Sequence, residues 1–174
     1  MLIAEEKIKS NVAEYVLYMW QIEDMIRAYK FNIDLIEKNI ISQFNHPERV
    51  IKEIKNWYAD LIVMMHVENI RAKGHLQFVN AIIKELNDIH LRLLKSDKES
   101  KYRKLYDNAA GNIQEFNKKL QDSSLNEIEI CFNGLYGLLL LRLQKKEVST
   151  ATQQAMATFS NLLALLSLKY KQLT

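Results

Sequence analysis

The sequence predicts an all-α fold, a single domain over residues 1–174 built as a bundle of six or seven mostly antiparallel helices. Three observations predict it. Four glycines and one proline in 174 residues leave little of the punctuation that hairpins and sheets need. Apolar residues recur at the spacing of a helix with one buried face through most of the chain. The stretch Val12–Arg27, VAEYVLYMWQIEDMIR, is apolar nearly all round and suits the central post of such a bundle. A composition that is 48% hydrophobic and 26% charged is that of a folded chain. At this length a domain buries about 70% of its unfolded surface, so it needs no staple.

The first helix is predicted over Ile3–Tyr29, with Glu5 and Glu6 at its start and Arg27 and Lys30 at its end, each matched to the macrodipole. Asn32 is the expected N-cap of a short second helix, Ile33–Phe44, with Ile33, Ile36, Ile40 and Phe44 along one face. The clearest break is Asn45-His46-Pro47-Glu48: Pro47 suits a first turn, and Glu48 follows three residues after Asn45 as a capping partner. A third helix then runs to Lys73, burying Ile54, Leu61 and Met65 among others, with Gly74 as its expected stop. The fourth, His75–Lys95, carries Leu76, Val79, Ile83, Leu86 and Ile89. Ser96-Asp97-Lys98-Glu99 reads as a capping box opening the fifth and most polar helix, expected on the outside. Ser124 and Glu127 read as another, opening a sixth helix that runs to Lys146. Ser149 or Thr150 caps the last, with Gln153 as the reciprocal partner of Thr150. These last two helices are apolar around much of their girth and are expected to join the first as the inner core. Short connections favour antiparallel neighbours.

Much chemistry is disfavoured. A net charge of +3 supports solubility without marking a nucleic-acid binder. Cys131 is the only cysteine and sits in an apolar helical pattern, so a buried, inert thiol is expected. No signal peptide is legible, and the longest apolar run, Leu135–Leu141, is far short of the roughly 20 residues of a membrane span. The expectation is a soluble cytoplasmic protein that does not enter the membrane. The residues three before His46, His66, His75 and His90 are Gln43, Val63, Ala72 and Asn87, so the Glu-x-x-His signature of di-iron bundles is missing. His-Glu-x-x-His, phosphate-cradling glycine loops and the Gly-x-Ser-x-Gly elbow are missing too. No metal, cofactor or catalytic residue is predicted. Gly134 and Gly137, three apart in a Leu-rich helix, are read as sites of close packing rather than ligand access.

One polar constellation remains. At about 100° per residue, Glu14 and Gln21 nearly superimpose on the first helix, with Asp24 beside them, while Glu23 reaches Arg27. His66, Glu68 and Arg71 of the third helix would face them, and Tyr18 and Trp57 would add aromatic walls. Such a set makes a candidate pocket; its competitor is a hydrogen-bonded network that fixes packing. Arg92, Lys95, Lys98, Lys101, Arg103 and Lys104 cluster around one turn and could meet phosphates. The interleaved Asp88, Asp97, Glu99 and Asp107 favour a solvated face instead.

The clusters Glu14-Tyr15, Tyr18-Met19-Trp20-Gln21 and Glu23-Asp24, with Ile40-Ile41-Ser42-Gln43, carry a resemblance over residues 1–44. Here the chain resembles a family of small all-helical proteins of Bacteroidetes, a domain of unknown function. The resemblance implies a cytoplasmic helical domain and brings no activity or site residue. Together these readings lead to a non-enzymatic helical interaction or scaffold protein. It would self-associate as a homo-oligomer through surplus apolar surface on Leu135–Leu143 or Phe159–Leu168. A small-molecule-binding domain or enzyme using the first-helix pocket is the first alternative, and a weak nucleic-acid binder the second.

Overall fold

Helices stop where the backbone finds partners for its end groups, and in this chain those partners set boundaries that glycine and proline do not mark. The computed structural model describes residues 2–120 and 124–173. Among them are eight α-helices and no strand: α1 (Leu2–Ser10), α2 (Val12–Ala28), α3 (Ile33–Asn39), α4 (Glu48–Val67), α5 (Gln77–Lys95), α6 (Ser100–Leu120), α7 (Glu127–Leu143) and α8 (Thr150–Leu173). A 3-10 turn, Ile41–Gln43, follows α3. The all-α class stands, and the expected six or seven helices become eight because the first one breaks at Asn11. There the Ala13 N–H donates to the Asn11 side-chain oxygen at 3.1 Å and to the Ser167 hydroxyl at 3.3 Å. These acceptors compete with the helical ladder, and Asn11 caps a new helix instead of continuing the old one.

Three helices end in the same way. After α2, the Phe31 N–H donates to the Ile26 carbonyl and the Lys30 N–H to that of Arg27. After α4, Ile70 donates to Met65 and Asn69 to His66; after α7, Lys146 donates to Leu141 and Lys145 to Arg142. These are Schellman closures, whose pivot residue is left-handed and usually glycine. Here the pivots are Lys30, Asn69 and Lys145, at φ of 54°, 57° and 55°. This is why α4 stops at Val67 and not at Gly74.

Other starts follow side-chain caps. Asn32 accepts from the Asp34 and Leu35 amides, as expected. The residue flanking α4 is Pro47, whose carbonyl takes the first helical bonds in place of an Asn45 cap. A complete capping box opens α7, built from Asn126 and Glu129 rather than Ser124 and Glu127. Ser149 caps α8 through the Thr152 N–H, while the Gln153 side chain donates to the Val148 carbonyl.

The chain forms two compact units, one holding the residues up to Ser10 with Glu14–Ala81, the other Asn11–Ala13 with the residues from Ile82 onward. In the first, Val16, Met19, Trp20 and Ile26 of α2 are buried, as are Ile36, Ile41 and the Ile54, Tyr58, Leu61 and Met65 stripe of α4. In the second, α8 buries Phe159, Leu162, Leu163 and Leu166, and α7 buries Ile128, Cys131 and Phe132. The polar α6 contributes a narrow stripe, Tyr102, Ala109 and Ile113, and leaves its other side to solvent. Contacts of α6 with α8 run from Glu99–Lys169 to Asn112–Thr158, so these two are antiparallel. By contrast, α6 and α7 run in the same sense: Tyr106 meets Glu127 near their starts, and Phe116 and Lys119 share a cavity with Gly137 and Leu141 further along. A connection of six residues can reach about 20 Å, so it does not impose an antiparallel return.

Candidate functional site

In the first unit, the buried polar residue of α2 is Glu23, which is 0% exposed. Its position continues the apolar stripe Val16, Met19, Trp20 and Ile26 at helical spacing, so the helix that buries the stripe buries the carboxylate with it. One oxygen of Glu23 lies 2.6 Å from His75 Nδ1; the other accepts the Leu76 N–H at 3.0 Å, just before α5. The His75 ring stacks on Trp20, with centroids 4.1 Å apart and planes 11° from parallel. One turn further along α2, Arg27 donates to Asp24 at 2.9 Å and to the carbonyls of Ile70 and Gly74. A carboxylate holding N–H groups and a guanidinium holding carbonyls together tie down the segment between α4 and α5.

The eight residues of the sequence-derived pocket are distributed around this arrangement. Glu14 is exposed and pairs with Lys7 at 2.9 Å. The Gln21 side chain donates to the Leu17 carbonyl of its own helix, and Asp24 holds Arg27. Tyr18 is half-buried, and burial pushes its hydroxyl up to about 12. Trp57 stands edge-on to Tyr58. Arg71 donates to His66 Nδ1 at 2.6 Å, and the His66 ring in turn meets the Phe31 ring at 4.8 Å. Glu68 accepts the Gln77 N–H at 2.7 Å and so caps α5. The structure therefore does link α2 to the α4–α5 connection, but through Glu23 and Arg27. The sequence signal for Glu23 was its place in the apolar stripe; its i, i+4 spacing to Arg27 was the misleading one, since Arg27 takes Asp24 instead.

The second unit has its own polar network. His90 is fully buried, with Nδ1 2.7 Å from the Tyr102 hydroxyl and Nε2 3.1 Å from Glu127. Tyr106 donates to the same carboxylate at 2.9 Å. A carboxylate only accepts, so His90 carries its proton on Nε2, and in the neutral ring Nδ1 accepts from Tyr102. The hydrogen bond from His90 holds the Glu127 carboxyl below its ordinary range; burial opposes this and the Tyr106 bond adds to it. Burial, aided by Glu127, pushes the Tyr106 hydroxyl up to about 12. Burial also raises the Cys131 thiol, so the chain's one thiol is protonated and unreactive. Every polar atom of this ring system is satisfied, which is the signature of a packing device. In the basic turn, Arg103 pairs with Asp97, and Lys169 with Glu99. Among the described residues no three of His, Cys, Asp and Glu stand together as a metal site. No helix of the described residues is long and apolar enough to cross a membrane.

The second unit holds a cleft of about 580 Å³ between α6, α7 and the start of α8. Phe116, Gly137, Leu138, Leu141, Ala155 and Met156 give it an apolar floor. Polar groups stand along one edge: Asn112, Glu115 and Lys119 share a face of α6, with Gln144 and Thr152 at the α7–α8 end. Asn112 donates to Thr158 at 3.1 Å and so braces α6 against α8. The two glycines of α7 have different roles here. A Cβ on Gly134 would stand 2.8 and 2.9 Å from the Phe159 ring and 3.0 Å from the Met156 sulfur, so this glycine serves packing, as expected. A Cβ on Gly137 would meet nothing within 4 Å. The packing expectation fails for Gly137, which opens the cleft wall instead. The sequence offered the pair of glycines but no means of telling them apart, because what fills each notch comes from α8.

No curated protein and no solved structure matches the chain. A family model described as "Domain of unknown function (DUF4924)" matches residues 1–174. On that match, the chain belongs to the DUF4924 family.

Proposed function

We propose that the protein binds a small organic molecule in the cleft between α6, α7 and α8. The observation that carries this reading is the empty notch at Gly137, on a half-buried stretch of helix in a cavity of about 580 Å³. Ligand pockets commonly measure roughly 300–1,000 Å³ and combine apolar walls with a few polar groups on one side. Mid-helix glycine costs about 1 kcal/mol relative to alanine, and at Gly137 no neighbouring side chain requires it. The ligand is held by burial against Phe116, Leu138, Leu141 and Met156 and oriented by the α6 edge. Nothing in the cleft pairs a nucleophile with a base, so the reading is binding without chemistry. The setting proposed is the cytoplasm, where a buried free thiol needs no partner.

A thermal-shift screen of small organic molecules against the wild type and Gly137→Leu tests this. A ligand at a hundred times its Kd adds about 2.7 kcal/mol of stability. The wild type should respond to at least one compound class, and Gly137→Leu, with its notch filled, should not. Identical responses from both proteins would remove the cleft as the site.

Self-association is a second reading. Leu143 of α7 and Leu168 of α8 are 65% and 58% exposed, and a second copy of the chain would cover them. Sedimentation as a pure monomer at high micromolar concentration would remove it.

A further inference from the structure

The second unit contains a filled version of the empty notch. One turn before Gly137, the absence of a Cβ at Gly134 lets the Phe159 ring lie directly against the α7 backbone, with Met156 sulfur beside it. Phe116 then stands edge-on to Phe159, at 6.2 Å and 72° between planes, and carries the aromatic surface into the cleft. Glycine spacing of three puts the Gly137 notch next to this one on nearly the same face of α7. There the backbone is equally bare, the neighbouring walls are again Phe116 and Met156, and no ring fills it. From α8, Ala151, Thr152, Ala155 and Met156 line the same cleft, so most of what that helix contributes is small.

We infer that the ligand is a planar aromatic molecule, whose ring seats against Gly137 as the Phe159 ring seats against Gly134. This deepens the cleft reading and rests on it. A flat ring lies flush against a bare helix backbone and packs on the neighbouring Phe116 ring, whereas a puckered or branched skeleton makes fewer contacts there. The polar edge of α6, with the Lys119 ammonium donating and the Glu115 carboxylate accepting, requires a polar substituent on one side of the ring system.

A matched pair of probes separates planarity from size and charge: 2-naphthoate and its saturated counterpart, decahydro-2-naphthoate. Only four glycines occur in the chain, so selective ¹⁵N-glycine labelling gives four amide signals, with Gly74 as an internal control outside the cleft. Titration to millimolar probe should move the Gly137 signal saturably with 2-naphthoate, leave Gly74 in place, and show at least tenfold weaker binding of the saturated analogue. Gly137→Ala should weaken 2-naphthoate binding while keeping the fold, and Gly137→Leu should abolish it. Equal binding of both probes at Gly137 would overturn the aromatic assignment and leave the cleft reading standing. If neither probe moves Gly137, the aromatic assignment falls, and the thermal-shift screen then decides the cleft reading separately.

Discussion

Glu23 and the two glycines of α7 show how one residue's role depends on what meets it. Removing the Glu23 carboxylate strands the buried Leu76 N–H and the His75 ring, so Glu23→Ala should cost about 2–3 kcal/mol. For a chain of this size that is roughly 5–10 °C in Tm. Glu14→Ala, at an exposed surface pair, should stay within about 0.5 kcal/mol of wild type. Thermal melts of both variants check this, and equal losses would contradict the assignment. The glycines should respond with opposite signs. Gly134→Ala drives a methyl into the fully buried Phe159 and should destabilise by about 1–3 kcal/mol. Gly137→Ala meets open space and should stabilise by up to about 1 kcal/mol. The sequence placed both residues correctly in a helix but could not assign their roles, because the partner ring lies 22 and more residues away in the chain. Glu23 is legible in the sequence, since a carboxylate in an apolar stripe is buried by its own helix.

At the scale of elements, the starts of α3 and α8 were readable, those of α4 and α7 only nearly so, and the helix ends were not. Asn32 and Ser149 announce α3 and α8 by side-chain chemistry that is local in sequence. The ends of α2, α4 and α7 are Schellman closures on Lys30, Asn69 and Lys145, and a left-handed lysine has no sequence signature. Replacing such a pivot by glycine relieves its steric penalty, which exceeds the entropy that glycine adds to the unfolded chain. Lys145→Gly should therefore stabilise by about 0.5–1 kcal/mol in a denaturant titration. The start of α7 adds a pH dependence. The folded-state pKa of Glu127 is depressed, chiefly by His90, so its stabilisation is present above the ordinary carboxylate value of 4.5 and is lost as pH falls through the folded value. Glu127→Gln should flatten the acid limb of a Tm–pH profile, and a limb identical to wild type would contradict the network.

For the whole molecule, composition and helical period were enough to give the all-α class, because scarce glycine and proline leave few alternatives to helix. The eighth helix and the parallel sense of α6 and α7 were not legible: the break at Asn11 is braced by Ser167 from the far end of the chain, and the parallel sense shows only in contacts such as Tyr106–Glu127. The cleft was missed for the same reason. Its walls come from three helices, and no short motif contains them. Native mass spectrometry of gently purified wild-type protein beside Gly137→Leu reads directly whether the cleft holds a ligand. The wild type should carry additional mass of small-molecule size on the 20.4 kDa chain, lost on denaturation and lacking in Gly137→Leu. The same adduct retained by Gly137→Leu, or a bare chain that no small molecule loads, would contradict the cleft reading.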